Sequence, residues 1–117
     1  MSTHCMIGYQ TKKGKFKAVY CHSDGYPSYT GKTLQAHYNS RAMAKALVKG
    51  GNFRFLENDI AKISRFADDT DAPQKFNSRE EMHTQSFAYV WDDVMGWLCT
   101  DIDDEDKFKP LEEFMGV

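Results

Sequence analysis

Two extended runs and a glycine turn stand near the start of the chain, where residues 4–22 read HCMIGYQTKKGKFKAVYCH. In the second run apolar side chains alternate with lysines, which is the period of a half-buried strand. The connection Lys12-Lys13-Gly14 ends in a glycine, which accepts the positive φ of a tight hairpin turn. This stretch therefore predicts a β-hairpin with strands at 4–11 and 15–22.

The same turn places Cys5 opposite Cys21 and His4 opposite His22. Side chains alternate between the faces of a strand, so each pair shares one face. Two imidazoles near Asp24 are candidate metal ligands, but zinc takes three or four ligands at close spacing, so we expect no metal. The three cysteines form an odd set with no C-x-x-C spacing, so we expect buried free thiols.

The rest of the chain predicts helices followed by a second hairpin. Helices are expected at 32–38, 41–49, 59–66 and 78–84, with polar or acidic links at 67–75 and 101–106. Aromatic and branched residues predict strands at 87–91 and 95–102, and Pro110 opens a last turn that docks Leu111, Phe114 and Met115. We therefore expect a single α+β domain over 1–117, with an antiparallel sheet of about four strands and short helices packed on one face.

Composition supports a small folded domain outside membranes. The chain has 117 residues, of which 41% are hydrophobic and 14% are aromatic. No apolar run approaches the roughly 20 residues of a membrane span, and no signal peptide is recognisable. We expect a cytoplasmic protein.

Charge is divided unevenly along the chain. Residues 1–60 carry nine Lys or Arg and three Asp or Glu. Residues 61–117 carry six Lys or Arg and fourteen Asp or Glu. This division predicts an anionic ligand for the first half and a basic partner for the second. The alternative is that the two halves pack together and their fields cancel.

The candidate functional loop is residues 24–33, which read DGYPSYTGKT. It lies between a strand and a helix and resembles a phosphate-binding P-loop. Five residues separate its glycines instead of four, and no apolar strand ending in Asp follows to hold Mg²⁺, so a nucleotide hydrolase is not expected. A helix N-terminus still favours an anion. The alternative is a turn stiffened by Pro27, with its tyrosines packed on the sheet.

Six residues in and beside this loop are expected to bind a phosphate-bearing ligand through charge, hydroxyl groups or stacking rings. They are His22, Asp24, Tyr26, Tyr29, Lys32 and Thr33. No catalytic residue and no cofactor are expected. A hydrolase or transferase that uses Cys21, His22 and Asp24 is the alternative, although adjacent strand residues such as Cys21 and His22 point apart.

Residues 20–27 read YCHSDGYP, and Gly31, Leu34 and His37-Tyr38 follow them. In these residues, in 5–8 and more loosely in 108–112, the chain resembles a family of short phage and prophage proteins that carry a Tyr-Cys-His-x-Asp-Gly-Tyr-Pro segment. Ser23 departs from many relatives, which have a bulky aromatic residue there. The resemblance implies a bacteriophage accessory protein in the host bacterial cytoplasm.

The sequence thus predicts a binding module that captures or inhibits a host factor without catalysis. The expected partner is a host-defence protein or a phosphate-bearing signal molecule, and nucleic acid is less favoured. The enzyme described above and a structural subunit of a homo-oligomer are the alternatives.

Overall fold

The computed structural model describes residues 3–65, 73–101 and 107–114. Its strands are β1 (Cys5–Gln10), β2 (Phe16–Cys21), β3 (Gln74–Phe76), β4 (Phe87–Asp92), β5 (Gly96–Asp101) and β6 (Lys109–Pro110). Its α-helices are α1 (Lys32–His37) and α2 (Arg41–Lys49). Shorter turns are the π-helical Pro27–Gly31 and the 3-10 segments Ile60–Lys62, Glu80–Met82 and Leu111–Phe114. The α+β class is confirmed.

The described strands form one mixed sheet in the order β3-β2-β1-β4-β5-β6. Both predicted hairpins are confirmed, and Cys5 lies opposite Cys21 as expected. Gly14 at the first turn has a φ of +80°. The hairpins join through β1 and β4, which run parallel with Cys5 beside Phe87. The expectation of a purely antiparallel sheet of about four strands is therefore wrong, because the long connection between the hairpins allows a parallel crossover.

Two short edge strands account for the larger strand number. β3 pairs with β2 in a region expected to be a loop, and its residues Gln74 and Lys75 are exposed. A polar three-residue strand shows no apolar alternation, so periodicity cannot reveal it. β6 pairs with β5 through Lys109 and Pro110, at an edge where proline is tolerated.

Helix α2 begins at a serine cap. α2 has the predicted bounds, and the Ser40 hydroxyl accepts a hydrogen bond from the Met43 amide at 3.1 Å. Residues 27–31 were expected to be irregular, but they form a π-helical turn that continues into α1. The predicted helix at 59–66 is reduced to Ile60–Lys62 among the described residues, and the Asp59 side chain caps it.

Both faces of the sheet are covered, but by different layers. The two α-helices pack on one face, as predicted, against the apolar residues Ile7, Val19 and Tyr89. On the other face Met82 packs with Met6 and Val90. A Cβ on Gly8 would lie 2.5 Å from the Lys17 carbonyl oxygen and 2.7 Å from the Met82 Cε atom, so a larger residue there would require neighbouring atoms to shift.

Some predicted segments lie outside the described residues, namely most of the 67–75 loop, the acidic link at 102–106 and Met115. Leu111 is fully buried, and Phe114 packs against the helix-side core as expected. None of the helices in the described ranges has the length and apolar character needed to cross a membrane.

Candidate functional site

The predicted loop lies where β1 begins and β2 ends, and its backbone is engaged by the fold. The Gly25 amide donates to the Thr3 carbonyl at 2.9 Å, and the Gly25 carbonyl accepts from the Tyr89 hydroxyl at 2.6 Å. The Asp24 carbonyl accepts from the Thr30 hydroxyl at 2.7 Å. Burial raises the pKa of Tyr89, which keeps this phenol protonated as a donor. These bonds fix the loop against the sheet.

The start of α1 at Lys32 is not the free helix N-terminus that the sequence predicts. The Lys32 amide donates to the Pro27 carbonyl, because helical structure already begins at Pro27. Lys32 is exposed and Thr33 is half-buried. Lys32 therefore lies inside a continuous helical segment, and its amide is not available to a phosphate.

The six residues predicted to bind a phosphate-bearing ligand lie in different surroundings in the structure. Tyr26 and Tyr29 are exposed, with ring centroids 6.2 Å apart, and Tyr26 contacts Phe87 edge-on at 6.0 Å. Asp24 is exposed and has a φ of +56°. His22 instead contacts Tyr20 and His4.

His22 belongs to a half-buried ring cluster on the face opposite the helices. Its Nδ1 lies 2.8 Å from the Tyr20 hydroxyl, and its ring stacks on His4 with centroids 4.7 Å apart. The His4 Nδ1 lies 2.5 Å from the His22 carbonyl oxygen. The predicted pairing of His4 with His22 is thus confirmed. The described ranges contain no group of three His, Cys, Asp or Glu placed to hold a metal ion.

Cys5, Cys21 and Cys99 are free thiols buried on the helix face, as predicted. A hydrogen bond with Cys5 lowers the pKa of Cys21, whereas burial raises the pKa of Cys5. Because all three thiols are enclosed by the core, they are poorly placed to attack a substrate.

A cationic groove lies at the opposite end of the sheet from this loop. It has a volume of about 490 Å³, and we call it the lysine groove. Its lining contains seven cationic side chains: Lys12, Lys13, Lys15, Lys17, Lys45, Lys75 and Arg41. Tyr9, Thr11 and Phe16 complete the lining. The described lining residues include no carboxylate, imidazole or thiol, so the groove is suited to binding anions rather than to acid–base chemistry.

Sheet register explains why the cations converge. Lys75 on β3 lies opposite Lys17 on β2, and Lys17 lies opposite Tyr9 on β1. Residues paired in this way point to the same face, here the helix face. α2 packs over β1 and adds Arg41 and Lys45 above this row. Three separate parts of the sequence thus meet in one groove.

Arg41 lines the lysine groove from the start of α2. Its guanidinium lies over the Tyr9 ring at 5.5 Å from the centroid. It also reaches the exposed Asp93 carboxylate at 3.3 Å. Arg41 is the first residue of α2, and the first turn of that helix carries no acidic side chain. The positive end of the helix dipole therefore reinforces the positive potential of the groove.

A second groove of about 550 Å³ adjoins the β4–β5 turn, and we call it the indole groove. Its lining combines tryptophans, side-chain amides, carboxylates and apolar side chains: Gln35, Asn39, Trp91, Asp93, Val94, Met95, Gly96, Trp97 and Glu112. Val94 is 92% exposed and Met95 is 57% exposed. The Trp91 indole N–H donates to Asp93 at 3.0 Å, which orients the half-buried ring.

The two grooves are neighbours. β1 and β4 run parallel, so the turns that follow them project from the same end of the sheet. Tyr9 of the lysine groove is paired with Trp91 of the indole groove. The Arg41–Asp93 contact joins their rims.

Sequence reasoning missed both grooves. Lys12, Lys13, Lys15 and Lys17 gave a local signal, since a hairpin with this many lysines concentrates charge at one turn. Lys75 and Trp91 reach the same surface only through strand pairing that the sequence does not reveal.

Comparison of the chain with protein-family models, with curated proteins and with solved structures finds no match.

Proposed function

We propose that this protein is a non-catalytic binding module that captures a ligand with several phosphate groups in the lysine groove. The observation that carries the proposal is the convergence of seven cationic side chains, with no carboxylate among the described lining residues, in one groove of about 490 Å³. A single phosphate engages only a few such side chains, whereas a chain of phosphates engages most of them.

The cations are placed at an energetic cost to the free protein. Lys17 and Lys75 are directly opposed on neighbouring strands, and like charges in that position are destabilising. Arg41 occupies the first turn of α2, where a cation opposes the helix dipole. A polyanion relieves the repulsion between the two lysines on binding, and it adds to the compensation of Arg41 that the Asp93 carboxylate already provides. The arrangement is therefore more typical of a ligand site than of an ordinary solvated surface.

The resemblance to phage proteins supplies the biological setting of the proposal. In that setting the protein acts in the host bacterial cytoplasm and withdraws a phosphate-bearing signal molecule from host defence. The anion contact is assigned to the lysine groove rather than to residues 24–33, because the Lys32 amide and the Gly25 backbone are already bonded within the fold. Binding of a ligand by the exposed Tyr26 and Tyr29 stays a prediction.

Calorimetric titration with inorganic tripolyphosphate at low salt tests the proposal. We expect the logarithm of the association constant to fall linearly with the logarithm of salt concentration, because binding releases counterions from the ligand and from the groove. The double variant Lys17→Gln, Lys75→Gln is expected to lose about thirtyfold or more in affinity, since each of the two lost charge-assisted contacts contributes on the order of 1–3 kcal/mol.

Lys32→Gln is the matched control, because it removes one exposed lysine from the other candidate site. We expect it to change the affinity less than about twofold, in line with a remote surface charge. If Lys32→Gln weakens binding and the groove variant does not, the anion site is the 24–33 loop. If tripolyphosphate does not bind at low salt, the proposed function is wrong.

A further inference from the structure

The indole groove has the chemical groups that recognise a nucleobase. Trp91 offers a half-buried indole ring, and Val94 and Met95 form an exposed apolar wall. The side-chain amides of Gln35 and Asn39 donate and accept hydrogen bonds, and the carboxylates of the groove accept them from amino groups. Stacking on an aromatic ring together with such edge contacts is how proteins bind unpaired bases.

One row of paired residues connects this groove to the lysine groove. Across the sheet the row runs Lys75, Lys17, Tyr9, Trp91 and Trp97. Neighbouring strands are spaced by about 4.8 Å, so Lys17 and Trp91 stand roughly 10 Å apart at the backbone. That separation suits a ligand with its phosphates at one end and its base at the other.

The charges of the two grooves impose one orientation on such a ligand. Asp93 and Glu112 line the indole groove, and carboxylates repel phosphate. The cations line the other groove. Arg41 and Asp93 mark the boundary, where their contact at 3.3 Å joins the two rims. Phosphates are therefore held on the lysine side, and an uncharged base is accepted on the indole side.

We propose that the indole groove is the base subsite of a nucleotide site, in which the ligand is a nucleoside polyphosphate whose phosphates occupy the lysine groove. This inference rests on the proposed function, since the phosphates provide the anchor. It adds the class of ligand: a base stacks on Trp91 beside Met95, and its edge faces Gln35, Asn39 and Glu112.

Comparison of inorganic tripolyphosphate with ATP and GTP tests the subsite, because the three probes share a triphosphate and differ in the base. Binding is measured by calorimetry and by tryptophan emission, since the chain has two tryptophans. We expect at least one nucleotide to bind about fivefold or more tightly than tripolyphosphate and to quench the emission, as stacking on an indole does.

Two variants localise this effect. Trp91→Leu removes the stacking ring, and Met95→Ser removes an exposed side chain that does not support the core. Both are expected to reduce the advantage of the nucleotide over tripolyphosphate, and Met95→Ser is expected to leave the affinity for tripolyphosphate unchanged, because Met95 does not line the lysine groove. Tyr29→Leu is the control, since it removes an exposed ring at the other end of the sheet and is expected to preserve the advantage. Because Trp91 contacts the core, Met95→Ser keeps the test valid if Trp91→Leu unfolds.

The outcomes separate this inference from the proposed function. Equal affinity for tripolyphosphate and both nucleotides overturns the base subsite and leaves the phosphate site standing. The base subsite is also overturned if Met95→Ser and a folded Trp91→Leu keep the full nucleotide advantage. If neither tripolyphosphate nor a nucleotide binds, the proposed function and the base subsite are both wrong.

Discussion

Tyr38, which follows α1, forms hydrogen bonds with Glu57 and with Trp97 on β5. Its hydroxyl donates to the Glu57 carbonyl at 2.7 Å, and its own carbonyl accepts from the Trp97 indole N–H at 3.1 Å. The side chain is fully buried. Burial, together with the nearby Asp59 carboxylate, raises the pKa of Tyr38 from 10.0 to about 12.

The substitution Tyr38→Phe is expected to lower the free energy of unfolding at pH 7 by about 1–3 kcal/mol, because the Glu57 carbonyl loses its donor. The raised pKa means that the folded state favours the protonated phenol. Its stabilising contribution is complete below the unfolded pKa near 10 and is lost as the pH rises towards about 12. Urea unfolding of both proteins across this pH range measures the difference.

The difference between the two proteins isolates Tyr38 from the other tyrosines, because both proteins retain those residues. Tyr29→Phe, at an exposed ring, serves as the control and should leave the free energy of unfolding at pH 7 unchanged. An alkaline loss of stability that is identical in Tyr38→Phe and the wild type would contradict the assignment.

At the scale of elements, α2 depends on its N-cap and carries Arg41 and Lys45 into the lysine groove. Replacing Ser40 with Ala removes the hydroxyl that accepts from the Met43 amide at 3.1 Å. We expect a loss of about 1 kcal/mol in the free energy of unfolding, the usual effect of removing a serine cap. Chemical denaturation monitors the loss, with the exposed Ser28→Ala as the control. A neutral Ser40→Ala would show that packing alone sets the start of α2.

Elements whose signals are local could be predicted from the sequence. Gly14 and its flanking lysines set the first turn, and the turn fixed the register that places Cys5 opposite Cys21. Ser40 and Gly50 bounded α2 in the same way. In each case the residues that decide the structure lie within a few positions of the structure they decide.

Elements decided at long range could not be predicted. β3 is a strand because β2 leaves a free edge, and nothing in Gln74 or Lys75 indicates it. The parallel pairing of β1 with β4 depends on how the intervening chain packs. For this reason the sequence shows that the first half of the chain is basic. It does not show that the lysines of this half lie beside Lys75 and Trp91.

For the whole molecule, the lysine groove implies that binding and stability oppose each other. Lys17→Gln with Lys75→Gln is expected to stabilise the ligand-free protein at low salt by a few tenths to about 1 kcal/mol, because opposed like charges are removed. This gain in the free energy of unfolding should be smaller at high salt, where the repulsion between the lysines is screened. Urea unfolding at both salt concentrations measures it, with Lys32→Gln as the control. A destabilised double variant at low salt would mean that these lysines support the fold.

The parallel pairing of β1 with β4 also has a consequence for the order of events during synthesis. Cys5 and Phe87 are neighbours in the sheet although they are 82 positions apart, from 5 to 87. Contacts between such distant residues form slowly, since a long loop must close first. A ribosome-bound chain that still lacks β4 carries the basic hairpin without Trp91 beside it. The row of paired residues from Lys75 to Trp91 therefore forms only after β4 has been synthesised.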